Sequence, residues 1–372
     1  MAEAEACGSL KGPGLATTAE SYFDACWVHF SSLWCHASEP SEICLQLGRV
    51  QLVLQFVNPS LVPYILPALQ HLQLATPNSE EHLGPTLTVG LWDAASTGLA
   101  LNPPTHEAED FKSLGLVEKF SNDQIQLTYD IGSGVLNLLK RNKNQAIFWV
   151  NTAAALPYYE RGAPLRSLLA TWLQDHGYQL VHAASVATEH GAVILAGRGG
   201  SGKSTSALGC LVRGLRYLSD DYCVVAPAEQ NEVFSLYCSA KVVPDSFEKF
   251  PWLEKLKRGS NWSEHEKILF LLGDSHADQI LNKAPLRAIL LPQQNTQEHN
   301  AQEAAKITQA SAIQGLRSLS PSTIFQLPAS GARAFQSMSQ LVRTTPVHQF
   351  HLGSRPEAVP EAIEHFLEHS AA

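Results

Sequence analysis

One nine-residue stretch constrains this 372-residue chain more than any other: Gly197-Arg198-Gly199-Gly200-Ser201-Gly202-Lys203-Ser204-Thr205. It fits a glycine, four residues, then Gly-Lys-Ser, the template of a phosphate-binding loop. Glycines suit such a loop because the backbone must reach positive φ and approach the ligand closely, turning successive N–H groups onto phosphate oxygens. The template also demands a strand before it and a helix after it. Gly191-Ala192-Val193-Ile194-Leu195-Ala196 supplies a buried-strand pattern, and Ala207, Leu208, Leu211 and Val212 recur at helical spacing until Gly214. A helix starting near Gly202 turns its positive end toward an anion, with Lys203 reaching the β- and γ-phosphates and Ser204 offering a hydroxyl to Mg²⁺. Nucleotide binding is the expectation.

A phosphate loop alone only binds; phosphoryl transfer also needs a metal-holding acid and a group that prepares the nucleophile. Asp220-Asp221 follow an apolar half-strand a short helix downstream of Lys203, so strand, loop, helix and second strand return them beside the loop, at the C-terminal edge of a parallel sheet. One carboxylate can hold a metal while the other accepts a proton. Neighbours on a regular strand face opposite ways, so using both requires a bend. His182 ends the strand before Ala183-Ala184-Ser185 and is a further candidate, against a histidine bonded within the core. Lys241 and Lys267, each beside apolar residues, could add positive charge near a γ-phosphate, against the reading as solvated lysines at strand ends that is expected here.

Composition narrows the class. A net charge of −9 and a pI near 5.9 speak against broad nucleic-acid or anionic-membrane binding, so neither is expected as a partner. Met1 to Gly14 lacks the apolar core of a signal peptide, and no run approaches the roughly 18 apolar residues of a spanning helix. A cytoplasmic protein is expected. The seven cysteines, Cys7, Cys26, Cys35, Cys44, Cys210, Cys223 and Cys238, contain no Cys-x-x-Cys pair and read as reduced, mostly buried thiols.

Residues 1–160 read as an N-terminal α/β region without a chemical motif, on a largely antiparallel sheet. Strands are expected at 50–57, 87–93, 126–137 and 146–151, and an amphipathic helix at 61–74 despite Pro63 and Pro67. Residues 161–372 then alternate helices and short strands, with a strand at 286–291, a polar loop at 293–300, a helix at 304–316 and a C-terminal helix bearing Val359, Ile363, Phe366 and Leu367.

A histidine at a strand end (His182), a strand, the loop Gly197 to Ser204, a short helix ending in Arg213-Gly214, and a strand ending in Asp220-Asp221 together resemble the catalytic domain of the HPr kinase/phosphorylase family. The resemblance is sharp over 178–225. It implies an α/β phosphate-loop kinase core like that of phosphoenolpyruvate carboxykinase, with ATP and Mg²⁺ as cofactors and a serine hydroxyl of a protein or peptide as acceptor. It implies that Lys203 binds phosphate, that Ser204 and Asp220 attend the metal, and that Asp221 is the base, with the two aspartates exchangeable in role. Thr205 stands where that family usually carries an acidic residue, which marks a divergent member. ATP is preferred to GTP by the resemblance alone. A small-molecule kinase on the same core and a non-catalytic ATP-binding regulatory module stay open, as does assembly into a homo-oligomer.

Overall fold

The computed structural model describes residues 18–74, 84–101, 108–226, 231–259, 261–294, 304–328, 331–353, 355 and 357–370. The N-terminal segment Met1 to Gly14, Cys7, and positions 295–300 of the polar loop lie outside the described residues. The chain forms two compact bodies. One comprises Met1–Leu66, Gln73–Pro157 and Leu165–Trp172; the other comprises Pro67–Leu72, Tyr158–Pro164 and Leu173–Ala372.

The first body is a six-stranded sheet in the order β1-β2-β3-β6-β5-β4, formed by β1 (Ser41–Leu47), β2 (Val50–Phe56), β3 (Thr86–Asp93), β4 (Ile125–Asp130), β5 (Val135–Lys140) and β6 (Gln145–Val150). The pairings of β2 with β3 and of β3 with β6 are parallel and the other three are antiparallel, so the sheet is mixed with an antiparallel majority. The expected strand at 126–137 is a hairpin, β4 turning at 131–134 into β5. Pro63 and Pro67 break the expected helix at 61–74 into short turns, Pro59–Leu61, Val62–Ile65, Leu66–Ala68 and Gln70–Leu72. A helix that the sequence pattern does not announce, Ala19–His36, starts at a Thr18–Ser21 capping box and buries Tyr22, Phe23, Cys26 and Phe30.

The second body is built on a nine-stranded sheet. Its strands are β7 (Gln179–Val181), β8 (Ala183–Thr188), β9 (Gly191–Ala196), β10 (Arg216–Ser219), β11 (Cys223–Ala226), β12 (Glu232–Ser235), β16 (Lys283–Gln293), β17 (Lys306–Gln309) and β18 (Val347–His351). The order is β10-β8-β9-β16-β12-β11-β7, with β18 pairing β16 and β17. A separate three-stranded sheet contains β13 (Ser239–Val242), β15 (Ile268–Leu271) and β14 (Asn261–Ser263).

Alternation along β9 explains why this sheet is covered on both faces. Val193 and Leu195 point to one side, where they meet Ala207, Leu208 and Leu211 of the helix Lys203–Arg213 and Ile363 and Leu367 of the helix Ala358–Ser370. Ala192, Ile194 and Ala196 point to the other, against Leu319 of the helix Ala312–Ile324 and Ala334, Met338 and Leu341 of the helix Gly331–Thr344. Each fully buried Val, Ile or Leu in this strand contributes about 1.5–3 kcal/mol relative to exposure. The expected helix at 304–316 is replaced by β17 and a helix beginning only after the Ser311 cap.

Six cysteines fall among the described residues; all are free, and all but the exposed Cys35 are buried. Among the described residues no helix is long and apolar enough to cross a membrane.

Candidate functional site

The sheet register brings the chemistry to one edge. β8 runs antiparallel to both β9 and β10, with Ala183 opposite Ala196, and Ser185 opposite both Ile194 and Ser219. The loop leaving β9, the bend leaving β10 and the residue entering β8 therefore emerge together. The parallel sheet expected from the sequence is not found here: β9 and β10 are parallel to each other only across the antiparallel β8. His182, Lys203, Ser204, Thr205 and Asp221 line one cavity of about 530 Å³ at this edge.

The helix Lys203–Arg213 begins directly after the glycine loop, and no side chain caps it. Gly202 stands at φ +98°, so the backbone conformation favours glycine, while a Cβ there would meet only the movable end of the Leu352 side chain. Gly199 differs: its φ is ordinary and a Cβ would meet nothing within 4 Å, so only a ligand lying against the backbone would demand its bareness. Lys203, 7% exposed, donates from Nζ to the carbonyl oxygens of Gly197 (2.8 Å) and Arg198 (3.1 Å). Burial lowers its pKa, and Asp220 and Asp221 oppose that. Gly199, Gly200 and Gly202 line the cavity, whereas Gly197, Arg198 and Ser201 do not, and the Arg198 side chain is exposed.

Asp220 and Asp221 occupy a bend between β10 and β11, so the two side chains part. Asp220 is fully buried. Its Oδ2 accepts the Lys241 backbone N–H at 2.8 Å, and its Oδ1 is buried without a partner. Burial and the charge of Asp221 raise its pKa, while Ser204 and Lys241 oppose the rise. Asp221 faces the cavity instead. It forms an ion pair with the Lys241 ammonium, and His182 Nε2 lies 3.8 Å from its Oδ1. Burial pushes this carboxyl up, but Lys241 and His182 outweigh burial and hold it well below the usual carboxylate range. His182 is itself lowered by burial; Asp221 opposes this, and Lys203 and Lys241 add to it. Its ring tilts against Tyr222 at 5.3 Å, its backbone N–H donates to Thr323 Oγ1 at 3.1 Å, and its Nδ1 is buried without a partner.

Lys241 corrects the expectation of a solvated lysine: it is 7% exposed and contacts both acids. Its place between Ala240 and Val242 on a short apolar strand was the available signal, since a lysine buried there needs a carboxylate partner. Lys267 is exposed and lines the same cavity. Sequence reasoning also missed Phe250, Trp252 and Leu352, which form apolar parts of the wall.

Among the described residues no group of three or more His, Cys, Asp or Glu could hold a metal ion alone. A phosphate-bound Mg²⁺ asks for less, usually one or two protein oxygens with phosphate oxygens and water completing the shell. The unpartnered buried Oδ1 of Asp220, with the Ser204 hydroxyl near enough to affect its ionisation, fits that requirement.

No protein-family model matches this chain, and no curated protein matches it. Among solved structures, it is similar to the Hpr(Ser) kinase/phosphatase from Coxiella burnetii at 11% identity and a TM-score of 0.28, over 51% of this chain and 98% of that one.

Proposed function

We propose that the second body is a Mg²⁺- and ATP-dependent phosphotransferase that moves the γ-phosphoryl group to a hydroxyl, with serine in a protein or peptide as the acceptor. The observation that carries this reading is the meeting, at one sheet edge, of an uncapped helix start behind a glycine loop, a buried lysine and two acids held in different environments.

The glycine loop and helix start bind the phosphates through backbone N–H groups, and Lys203 exchanges its two loop carbonyls for phosphate oxygens. Ser204 and Asp220 would hold Mg²⁺, which would supply neutralisation of charge on the phosphates. Asp221, kept ionised by Lys241 and His182, orients the acceptor hydroxyl and takes its proton as the new O–P bond forms. The bond from the γ-phosphorus to the bridging oxygen breaks, and the nucleoside diphosphate leaves with that oxygen. A carboxylate of low basicity suffices when the transition state is loose, because the proton moves late. Nucleic acid and membranes have no part in this scheme, and a cytoplasmic protein with access to ATP suits it.

The test is to incubate the purified protein with γ-labelled ATP, Mg²⁺ and host lysate. Label is expected on a protein or peptide, in an acid-stable linkage of the kind a phosphoserine ester gives. Label on a metabolite alone would make the acceptor a small molecule. Release only as inorganic phosphate would replace the kinase with a nucleotide-dependent switch.

A further inference from the structure

The cavity is larger than phosphates alone would need, and its remaining walls come from opposite sides of the loop. On one side Lys241 leads into Val242 and Val243, and the chain returns through Phe250 and Trp252; on the other stand Gln294 and Leu352, which follow β16 and β18. The acids tie the first wall to themselves: Lys241 of β13, which leads into Val243, holds both Asp220 and Asp221. β10, which leads into the acids, lies on one side of β9, whereas β16 and β18 lie on the other. In a phosphoryl transfer the acids mark the end of the donor from which the phosphoryl group departs. The rest of the donor then trails over β16 and β18, and the acceptor arrives from the side of the acids.

We propose that Val243, Phe250 and Trp252 form an acceptor subsite for a hydroxyl compound with a large apolar or aromatic group beside the reacting hydroxyl, while Gln294 and Leu352 face the nucleoside of the donor. The inference rests on the phosphoryl-transfer reading and adds the acceptor's chemistry to it. Val243 is 46% exposed. The rings of Phe250 and Trp252 lie 5.9 Å apart at 46°, both part-buried, and therefore offer apolar surface to the cavity. A Cβ on Gly209 would sit 3.6 Å from the Trp252 ring, which places the indole beside a residue seven positions after Gly202, about 10 Å along the helix from the phosphate loop. An acceptor anchored there can reach the acids with its hydroxyl without crossing the donor. The shared chemistry, a hydroxyl with an apolar neighbour, occurs in a serine peptide with a bulky flanking residue and in a free small molecule.

Binding is tested first by calorimetry with ATP and with inorganic tripolyphosphate. The parent should bind ATP about tenfold or more tightly than tripolyphosphate, Leu352→Ala should narrow that gap, and Trp252→Ala should preserve it. Loss of the gap in Trp252→Ala would assign the aromatic wall to the nucleoside and overturn the proposal. Failure of the parent to bind either ligand would instead overturn the phosphate-loop reading, and the acceptor subsite with it. Turnover is then measured on an array of single-serine peptides whose flanking residues are Leu, Phe, Ala, Asp or Lys, and on small hydroxyl compounds with and without an aromatic group. Selection of the bulky apolar member in either arm, with KM for that acceptor raised about tenfold by Trp252→Ala and KM for ATP unchanged, is the expected result. Selection of acidic or basic members, or an acceptor KM indifferent to Trp252→Ala, would contradict it; the arm that responds identifies peptide or small molecule.

Discussion

Lys241 is where the two acids become different. Its backbone N–H holds Asp220 inward, and its ammonium holds Asp221 at the cavity wall. Removing the ammonium leaves a largely buried carboxylate without its partner, so Lys241→Met should cost about 3 kcal/mol of stability near neutral pH, measured by urea unfolding. Because Asp221 is depressed in the folded state, that contribution exists above the unfolded carboxylate pKa and fades as pH falls toward the folded value. The difference between parent and variant should therefore shrink in acid. Asp220 has the opposite sign. Its raised pKa means that ionisation destabilises the fold as pH climbs from the unfolded toward the folded value. Asp220→Asn should compare more favourably with the parent at about pH 8 than at about pH 5 in metal-free thermal unfolding. A difference independent of pH would show that Asp220 ionises normally.

At the level of elements, the glycine loop separates residues needed for folding from those that only a ligand would need. Gly202→Ala should destabilise the protein by about 1–3 kcal/mol, because of its positive φ. Gly199→Ala should leave the melting temperature nearly unchanged yet weaken ATP binding about tenfold, because the added methyl meets only the ligand. Equal stability losses in the two variants would remove the case for close phosphate approach. The loop, β9 and the helix between Gly202 and Gly214 were legible in the sequence because glycine geometry and apolar spacing are local. The antiparallel β8 between β9 and β10 was not, since partner choice is a long-range matter that Ala183–Thr188 does not encode alone. The helix Ala19–His36 was hidden by apolar residues off its buried face: Trp27, Val28 and Trp34 lie outside its buried set and blur the apolar stripe. The bend at Asp220-Asp221 could be named as a requirement, but that Lys241 would enforce it came from a residue twenty positions away.

Across the whole molecule, the second body depends on a short piece from early in the chain. Ala68 accepts the Cys238 N–H at 2.8 Å, His71 Nε2 lies 2.8 Å from the Ser235 hydroxyl, and Gln70 donates to Asp274 at 2.6 Å. A fragment of residues 161–372 lacks all three, so it should unfold at lower urea than the same body within the full chain. Supplying residues 67–72 as a covalent extension should recover part of the loss. Whether this body transfers phosphoryl groups is decided by label transfer from γ-labelled ATP, measured side by side for the parent and Asp221→Asn with ATP affinity determined on the same samples. The parent should label an acceptor, and the variant should bind ATP equally well but transfer about 10²- to 10⁴-fold more slowly. Equal transfer by both proteins, or ATP binding with no transfer by the parent, would contradict the proposed transfer with Asp221 as base.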